Sequence, residues 1–155
     1  DRGGDWSSDV CSSDLEENNK RLTAEAKELG LVYNLDKAIP VNTLYAHRLL
    51  QYSKDVGKEA EVVNVIFRTY FTDSKNISDI DTLVEISKEV GLKEDVVREI
   101  LNSDKYTDKV REDEKGSKDI GVDVVPYFII NKKITIAGAQ SIETIRMGLE
   151  KALIK

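Results

Sequence analysis

Apolar residues spaced three and four positions apart predict six consecutive helices over the first three-quarters of the chain. This spacing puts the apolar side chains on one helix face, and glycines or polar turns separate the segments. The predicted helices span about 16–30, 43–56, 59–71, 79–91, 94–102 and 105–120. Apolar residues occur on nearly all faces of the third predicted helix, so we expect this helix to be deeply buried. The sixth predicted helix is mostly polar.

The pattern changes after Gly121. The run VDVVPYFIIN is β-branched and aromatic, KITIAG alternates, and Asn131-Lys132 lies between them, so we expect a β-hairpin at about 126–137. A final helix capped by Ser141 follows. Its apolar positions predict a buried face formed by Ile142, Ile145, Leu149 and Leu153. Two strands make a poor sheet by themselves. The sequence therefore predicts further strands that pair with the hairpin, and we expect these strands to precede residue 16 in the chain.

Composition limits the class of protein. The 155 residues are 40% hydrophobic and 34% charged, which is ordinary for a globular domain with its own core. The net charge of −6 leaves no basic surface for phosphates, so we expect no nucleic-acid partner. The chain has no apolar run of membrane-spanning length, and we expect no membrane partner.

The first fifteen residues look non-native. The stretch from Asp5 to Leu15, DWSSDVCSSDL, resembles a translated sequencing adapter, and it contains the sole cysteine, Cys11. We therefore exclude it from the fold and expect no functional thiol at Cys11. One cysteine also makes no CxxC pair, so the sequence offers no catalytic residue. The expected organisation is a non-native segment at 1–15, a helical domain with a connecting helix at 16–120, and a second domain part at 121–155.

Several separated motifs occur together in one order along the chain. They are Asn42-Thr43, Ala46-His47-Arg48-Leu49, Phe71-Thr72-Asp73, Val125-Pro126-Tyr127-Phe128 and Ala137-Gly138-Ala139-Gln140. Together they resemble the DsbA family, and within it the FrnE-like subgroup. The resemblance implies an α/β, thioredoxin-like fold with a large helical insertion. Here the first βαβ unit would be missing, which leaves a mostly helical, N-terminally truncated chain with a C-terminal hairpin and helix.

The same resemblance implies a function. Members are thiol–disulfide oxidoreductases, so this chain is expected to be an inactive fragment that lacks the CxxC, and whether it is itself an enzyme stays open. Its expected partners are protein or small-molecule thiols and disulfides, with no cofactor or metal, in the cytoplasm. The family's proline at this position is cis and faces the substrate, which makes Val125 and Pro126 the first substrate-binding candidates. An X–Pro bond disfavours cis by only about 0.5–1 kcal/mol, so a fold can impose it.

Two residues of the helical region are further substrate-binding candidates, and two other functions stay open. His47 is the chain's one histidine, and such a residue is more often structural. Asn42 would bind substrate in a glutathione-dependent isomerase of the same architecture, similar to 2-hydroxychromene-2-carboxylate isomerase, but it equally suits the start of a helix. The remaining alternative is a non-catalytic helical binding module.

Overall fold

The structure is a computed structural model that describes the backbone of residues 12–153 and the side chains from Leu15 onward. Cys11 and most of the segment interpreted as non-native lie outside the described residues. The described elements are α1 (Ser12–Glu28), a 3₁₀ turn (Leu35–Lys37), α2 (Leu44–Asp55), α3 (Glu59–Phe67), a π-helical turn (Arg68–Thr72), α4 (Ile80–Glu89), α5 (Glu94–Leu101), α6 (Thr107–Asp119), β1 (Tyr127–Ile130), β2 (Ile134–Ala137) and α7 (Ile142–Leu153).

The chain divides into two compact units, one ending at Val110 and the other beginning at Arg111. We call them the helical unit and the hairpin unit. The division falls inside α6, whereas the sequence suggests a boundary after Ile120. No helix in the described part of the chain combines the length and the apolar character needed to cross a membrane.

The helical unit is built around one apolar core. Helices α2 to α5 contribute its most buried side chains, which are Leu49, Val62, Leu83, Val84, Val97 and Leu101, each at most 2% exposed. Asp79 caps the start of α4, where a helix is predicted from about residue 79, because its carboxylate accepts the Thr82 backbone N–H at 2.8 Å. The core therefore follows the helical periodicity of the sequence.

Burial at two places in the helical unit differs from the sequence pattern. Leu29 continues the apolar spacing of α1 but is 78% exposed, since α1 has already ended at Glu28. Phe67 is 55% exposed at the end of α3, so this helix is buried on one side and not all around. The regular helix also stops there, and a π-helical turn carries the chain from Arg68 to Thr72.

The hairpin unit contains an antiparallel two-stranded sheet. Strand β1 pairs with β2 in the register Tyr127 with Ala137, through to Ile130 with Ile134. Asn131 and Lys132 have φ of 51° and 57°, and the Lys133 N–H donates to the Ile130 carbonyl at 3.0 Å. Such left-handed residues form the tight turn whose twist suits a hairpin, so the predicted turn lies where the sequence indicates.

Helix α7 covers one face of this sheet through its small residues. Gly148 and Ala152 are buried, and a Cβ at Gly148 would lie 2.7 Å from Cδ1 of Ile136 and 3.6 Å from Cδ1 of Ile130. The absence of a side chain at Gly148 lets the helix approach both strands. The helix begins as predicted, since Ser141 Oγ accepts the Thr144 N–H at 3.2 Å.

The predicted buried face of α7 is wrong at three of its four residues. Ile142 is 81% exposed, Leu153 78% and Leu149 49%, while Ile145 is half-buried. The residues that contact the sheet lie on a neighbouring face that includes Gly148 and Ala152. A small-residue face allows close packing, so the hairpin rests there and the larger apolar stripe of α7 stays in solvent.

Candidate functional site

Val125 and Pro126 directly precede β1, and their backbone groups make few hydrogen bonds within the described structure. The peptide bond between them is cis, and the Val125 side chain is 81% exposed. The carbonyl of Pro126 accepts the Gly138 N–H at 2.8 Å, which ties the start of β1 to the end of β2. Among residues 12–153, neither the N–H nor the carbonyl of Val125 has a backbone hydrogen-bond partner. An extended chain could bind these two groups.

Beyond Pro126, β1 presents a free edge within the described sheet. Pro126 and Gly138 occupy a hydrogen-bonded position, and such positions alternate along an antiparallel pair. Phe128 and Ile130 therefore direct their N–H and carbonyl groups toward β2, whereas those of Tyr127 and Ile129 point to the other side. This outer edge of β1 continues directly from Val125.

Asn42 and His47, the other two predicted site residues, lie at the start of α2 in the helical unit. Both are exposed. The Asn42 side-chain oxygen accepts the Leu44 N–H at 2.9 Å, which satisfies one of the free donors at the beginning of the helix. Asn42 therefore has a structural role at the start of α2, and His47 lies one turn further along.

Arg48, next to His47, is 2% exposed and points into the helical unit. Its guanidinium donates to three backbone carbonyls, those of Lys105 at 2.8 Å, Ile100 and Ser103. These carbonyls lie at and just after the C-terminal end of α5, where a helix dipole favours a cation. Arg48 thus links α2 to the end of α5.

Sequence reasoning missed a cluster formed by Asp55, Tyr106 and Lys109. The Tyr106 hydroxyl donates to Asp55 at 3.0 Å, the Lys109 ammonium donates to the same carboxylate at 3.0 Å, and this ammonium lies 5.0 Å from the Tyr106 ring centre. The hydrogen bonds from Lys109 and Tyr106 hold the pKa of Asp55 below its usual value. Burial, with the hydrogen bond to Asp55, raises the pKa of Tyr106.

This cluster lines a shallow cavity of about 560 Å³ between α2, α5 and the start of α6. Tyr106 adopts φ of 68°, which is strained for a bulky residue. No sequence signal marks the cluster, because its members are 51 and 54 positions apart. Its polar groups satisfy one another, so it connects α2 to α6 without a free group directed at a ligand.

The motif Phe71-Thr72 contacts the segment that precedes α2. Thr72 Oγ1 donates to the Val32 carbonyl at 2.7 Å, the Asn34 N–H donates to the Phe71 carbonyl at 2.7 Å, and the Tyr33 and Phe71 rings stack at 4.9 Å. These contacts give the motif a structural purpose.

Within the described residues, no group of three or more His, Cys, Asp or Glu side chains is placed to hold a metal ion.

Comparison with known proteins gives three concordant results. A family model described as a DSBA-like thioredoxin domain matches residues 6–150. The uncharacterized protein YwbO of Bacillus subtilis (strain 168) is 30% identical over 116 residues, which are 74% of this chain and 58% of YwbO. The crystal structure of a probable DsbA oxidoreductase from Streptomyces coelicolor superposes with a TM-score of 0.86 at 28% identity, over 92% of this chain and 62% of that one.

These matches confirm the family and the thioredoxin-like fold class that the motifs indicate, while the FrnE-like subgroup stays a prediction. The chain spans about three-fifths of the length of the two relatives that it matches. The family model covers 145 of the 155 residues, and therefore this chain belongs to the DSBA-like thioredoxin domain family.

Proposed function

We propose that this chain is the substrate-binding part of a DsbA-like thiol–disulfide oxidoreductase of the FrnE-like subgroup, and that it lacks redox activity alone. Family membership supports the class of reaction. The single cysteine of the sequence supports the lack of activity, because dithiol exchange needs two sulfurs. The expected partners are polypeptides or small molecules that carry thiols or disulfides. Members of the FrnE-like subgroup are usually cytoplasmic, and this supports the cytoplasm as the compartment of this chain.

The observation that carries the proposal is the open backbone of Val125 at the start of β1. Its N–H and its carbonyl have no backbone hydrogen-bond partner among the described residues, Val125 is 81% exposed, and the adjacent Pro126 has no N–H. An extended peptide can use such a pair of groups as a strand would, and its main chain then supplies hydrogen bonds that are independent of sequence. This suits an enzyme whose substrates share a disulfide and little else.

The residues of this chain would bind and orient, whereas the sulfur chemistry would come from a cysteine pair. In such exchange, a thiolate attacks one sulfur of the substrate disulfide, a mixed disulfide forms, and the other sulfur leaves as a thiolate. Val125 would hold the chain beside the attacked sulfur. Neither Asn42 nor His47 needs to take part in this step, and both stay substrate-contact candidates in the helical unit.

A turnover assay tests the first half of the proposal. Insulin reduction by dithiothreitol is followed with this chain and with Cys11→Ser. We expect both proteins to leave the uncatalysed rate unchanged. Turnover above the uncatalysed rate that persists in Cys11→Ser would contradict the proposal, because no other thiol exists in the sequence.

A binding assay tests the second half. A fluorescein-labelled, unstructured peptide with its cysteine blocked is titrated with the Cys11→Ser chain, and anisotropy is measured. Val125→Pro removes the Val125 donor and should weaken binding several-fold, since one hydrogen bond contributes about 1 kcal/mol. Val124→Pro removes the neighbouring donor and should bind like the parent. Equal binding by both variants would exclude Val125 as the contact.

The glutathione-dependent isomerase is the main alternative, and it gives Asn42 a substrate contact. The Asn42 oxygen already accepts the Leu44 N–H, which favours the structural role. Binding of S-methylglutathione that is lost in Asn42→Ala, with no binding of the peptide, would favour the isomerase. Peptide binding that is unaffected by Val125→Pro and maps to the helical unit would favour a non-catalytic binding module.

A further inference from the structure

The end of β2 holds the start of β1 through a backbone hydrogen bond. The Gly138 N–H donates to the Pro126 carbonyl at 2.8 Å, just outside the paired residues Tyr127 and Ala137. This contact lies between the two strands of the hairpin, so it is independent of whatever lies beside the outer edge of β1. Because Pro126 directly follows Val125, Gly138 acts on the backbone next to the proposed substrate contact.

The backbone of Pro126 transmits this restraint to Val125. The proline ring locks φ of Pro126 at about −65°, and the hydrogen bond from Gly138 fixes the direction of the Pro126 carbonyl and therefore ψ. A peptide unit is planar, so the nitrogen of Pro126 and the carbonyl of Val125 lie in one plane. With both dihedral angles of Pro126 fixed, the Val125 carbonyl has one direction relative to β2. The Val125 N–H lies two rotatable bonds further away, so the restraint acts mainly on the acceptor.

Gly138 has a backbone conformation that most residues avoid. Its φ is 76°, in the left-handed region that glycine adopts readily, that asparagine tolerates and that a β-branched residue strongly disfavours. Apart from its chain neighbours, a Cβ added at Gly138 would meet no atom closer than the Gln140 side-chain nitrogen at 3.8 Å, which is an ordinary contact. The requirement for glycine therefore comes from a conformation in which the N–H reaches Pro126 while the chain turns toward α7, and not from crowding.

We propose that Gly138 is a positioning residue for substrate binding, which sets the direction of the Val125 carbonyl so that this carbonyl accepts a backbone N–H of the extended substrate. Gly138 itself does not touch the substrate. The inference rests on the proposed function, and it adds that affinity depends on the backbone conformation of a residue on the opposite side of the hairpin. A residue that disfavours a positive φ at position 138 should disturb the acceptor and weaken binding.

A matched series at position 138 tests this inference in the Cys11→Ser chain. Gly138→Asn and Gly138→Val add side chains of similar size, but only valine strongly disfavours a positive φ. Anisotropy titration with the blocked-cysteine peptide is corrected for the folded fraction, which urea denaturation gives. Binding should be about fivefold weaker in Gly138→Val, the equivalent of one hydrogen bond, and close to the parent in Gly138→Asn. Gly138→Ala should fall between them, and it tests the same order if the valine variant does not fold.

Gly148 supplies the control for a general loosening of the hairpin unit. Gly148→Ala places a Cβ 2.7 Å from Cδ1 of Ile136 and disturbs the packing of α7, but it does not touch the Pro126 hydrogen bond. In carbon-13 NMR of the free chains, the Val125 carbonyl resonance should move in Gly138→Val and stay in place in Gly148→Ala. Gly148→Ala should also bind the peptide like the parent.

The outcomes separate this inference from the proposed function. If the parent binds the peptide through Val125, equal affinities of Gly138→Asn and Gly138→Val would overturn the positioning role alone. Equal effects of Gly138→Val and Gly148→Ala on affinity would do the same, because the loss would then come from loosening of the hairpin unit. A parent that does not bind the peptide, or that binds it equally after Val125→Pro, would contradict the proposed function and this inference with it.

Discussion

The helical unit and the hairpin unit bury their apolar residues to very different extents. In the helical unit, Leu49, Val62, Leu83, Val97 and Leu101 are at most 1% exposed. In the hairpin unit, Ile136 and two small residues of α7 are buried, while Val125, Ile142 and Leu153 are each more than three-quarters exposed. The helical unit therefore contains a closed core, and the hairpin unit has apolar surface on which something else can pack.

This difference matches the roles proposed for the two units. The helices of the helical unit have few free backbone groups that could bind a ligand, because their N–H and carbonyl groups form hydrogen bonds within the helices. Within the described residues β1 pairs with β2 alone, and its outer edge carries the groups that could bind an extended chain. Binding capacity and incomplete burial thus arise from the same part of the structure.

The largest effect is expected from truncating the helical core. Leu83→Ala should lower the free energy of unfolding by about 3 kcal/mol, because it removes a fully buried side chain and leaves a cavity. Ile142→Ala in the hairpin unit deletes a similar apolar side chain that is 81% exposed, and should change stability by less than about 0.5 kcal/mol. Urea denaturation measures both, and equal losses would contradict the contrast between the units.

A second comparison uses one buried and one exposed arginine. Arg48→Met should destabilise the helical unit by about 2–3 kcal/mol, because carbonyls near the end of α5 lose their donors inside the structure. Arg146→Met removes an exposed pair with Glu150 on α7 and should cost less than about 1 kcal/mol. Thermal denaturation separates the two outcomes. An unchanged melting temperature for Arg48→Met would refute its structural role.

A third comparison concerns two helical glycines. Gly148→Leu should destabilise the hairpin unit by about 2 kcal/mol, because the new side chain must displace Ile136 and lift α7 from the sheet. Gly116→Ala lies on an exposed turn of α6 with no atom within 4 Å of the added Cβ, and should stabilise that helix by about 1 kcal/mol. Hydrogen exchange over residues 127–137 should quicken only in Gly148→Leu. Slow exchange there would show that α7 tolerates the side chain.

The smallest effect is a pH dependence in the helical unit. The pKa of Asp55 is depressed in the folded state, first by its hydrogen bond from Lys109 and then by that from Tyr106. A depressed carboxyl pKa contributes stability above its unfolded value of about 4, and this contribution is lost as the pH falls through the folded value. The stability difference between the parent and Asp55→Asn should therefore be larger at neutral pH than in acid. A difference that grows on acidification would contradict this sign.

Elements and family could be predicted from the sequence because they depend on local patterns and on motifs that are continuous in the chain. The helices follow the spacing of apolar residues, Asp79 and Ser141 begin their helices as predicted, and Asn131-Lys132 makes the turn. The faces of α7 could not be predicted, because spacing alone does not say which of two neighbouring faces the hairpin covers. A small-residue face at Gly148 and Ala152 is less conspicuous than a stripe of large apolar residues.

The candidate site was predictable only in part, for a similar reason. Val125 and Pro126 stand in one continuous motif, so the resemblance identifies them directly. The Asp55, Tyr106 and Lys109 cluster depends on how α2 meets α6, and residues about 50 positions apart give no local signal. The carbonyl partners of Arg48 also depend on tertiary packing, because they lie more than 50 positions further along the chain.

Amide NMR of the isotope-labelled Cys11→Ser chain tests the central claim most directly, which is that the hairpin unit binds an extended substrate through Val125. The protein is titrated with an unstructured peptide whose cysteine is blocked. We predict that the Val125 amide shifts and becomes protected from exchange, while the amides of Asn42 and His47 change less. Saturable peptide binding that leaves the Val125 amide unchanged would contradict the account.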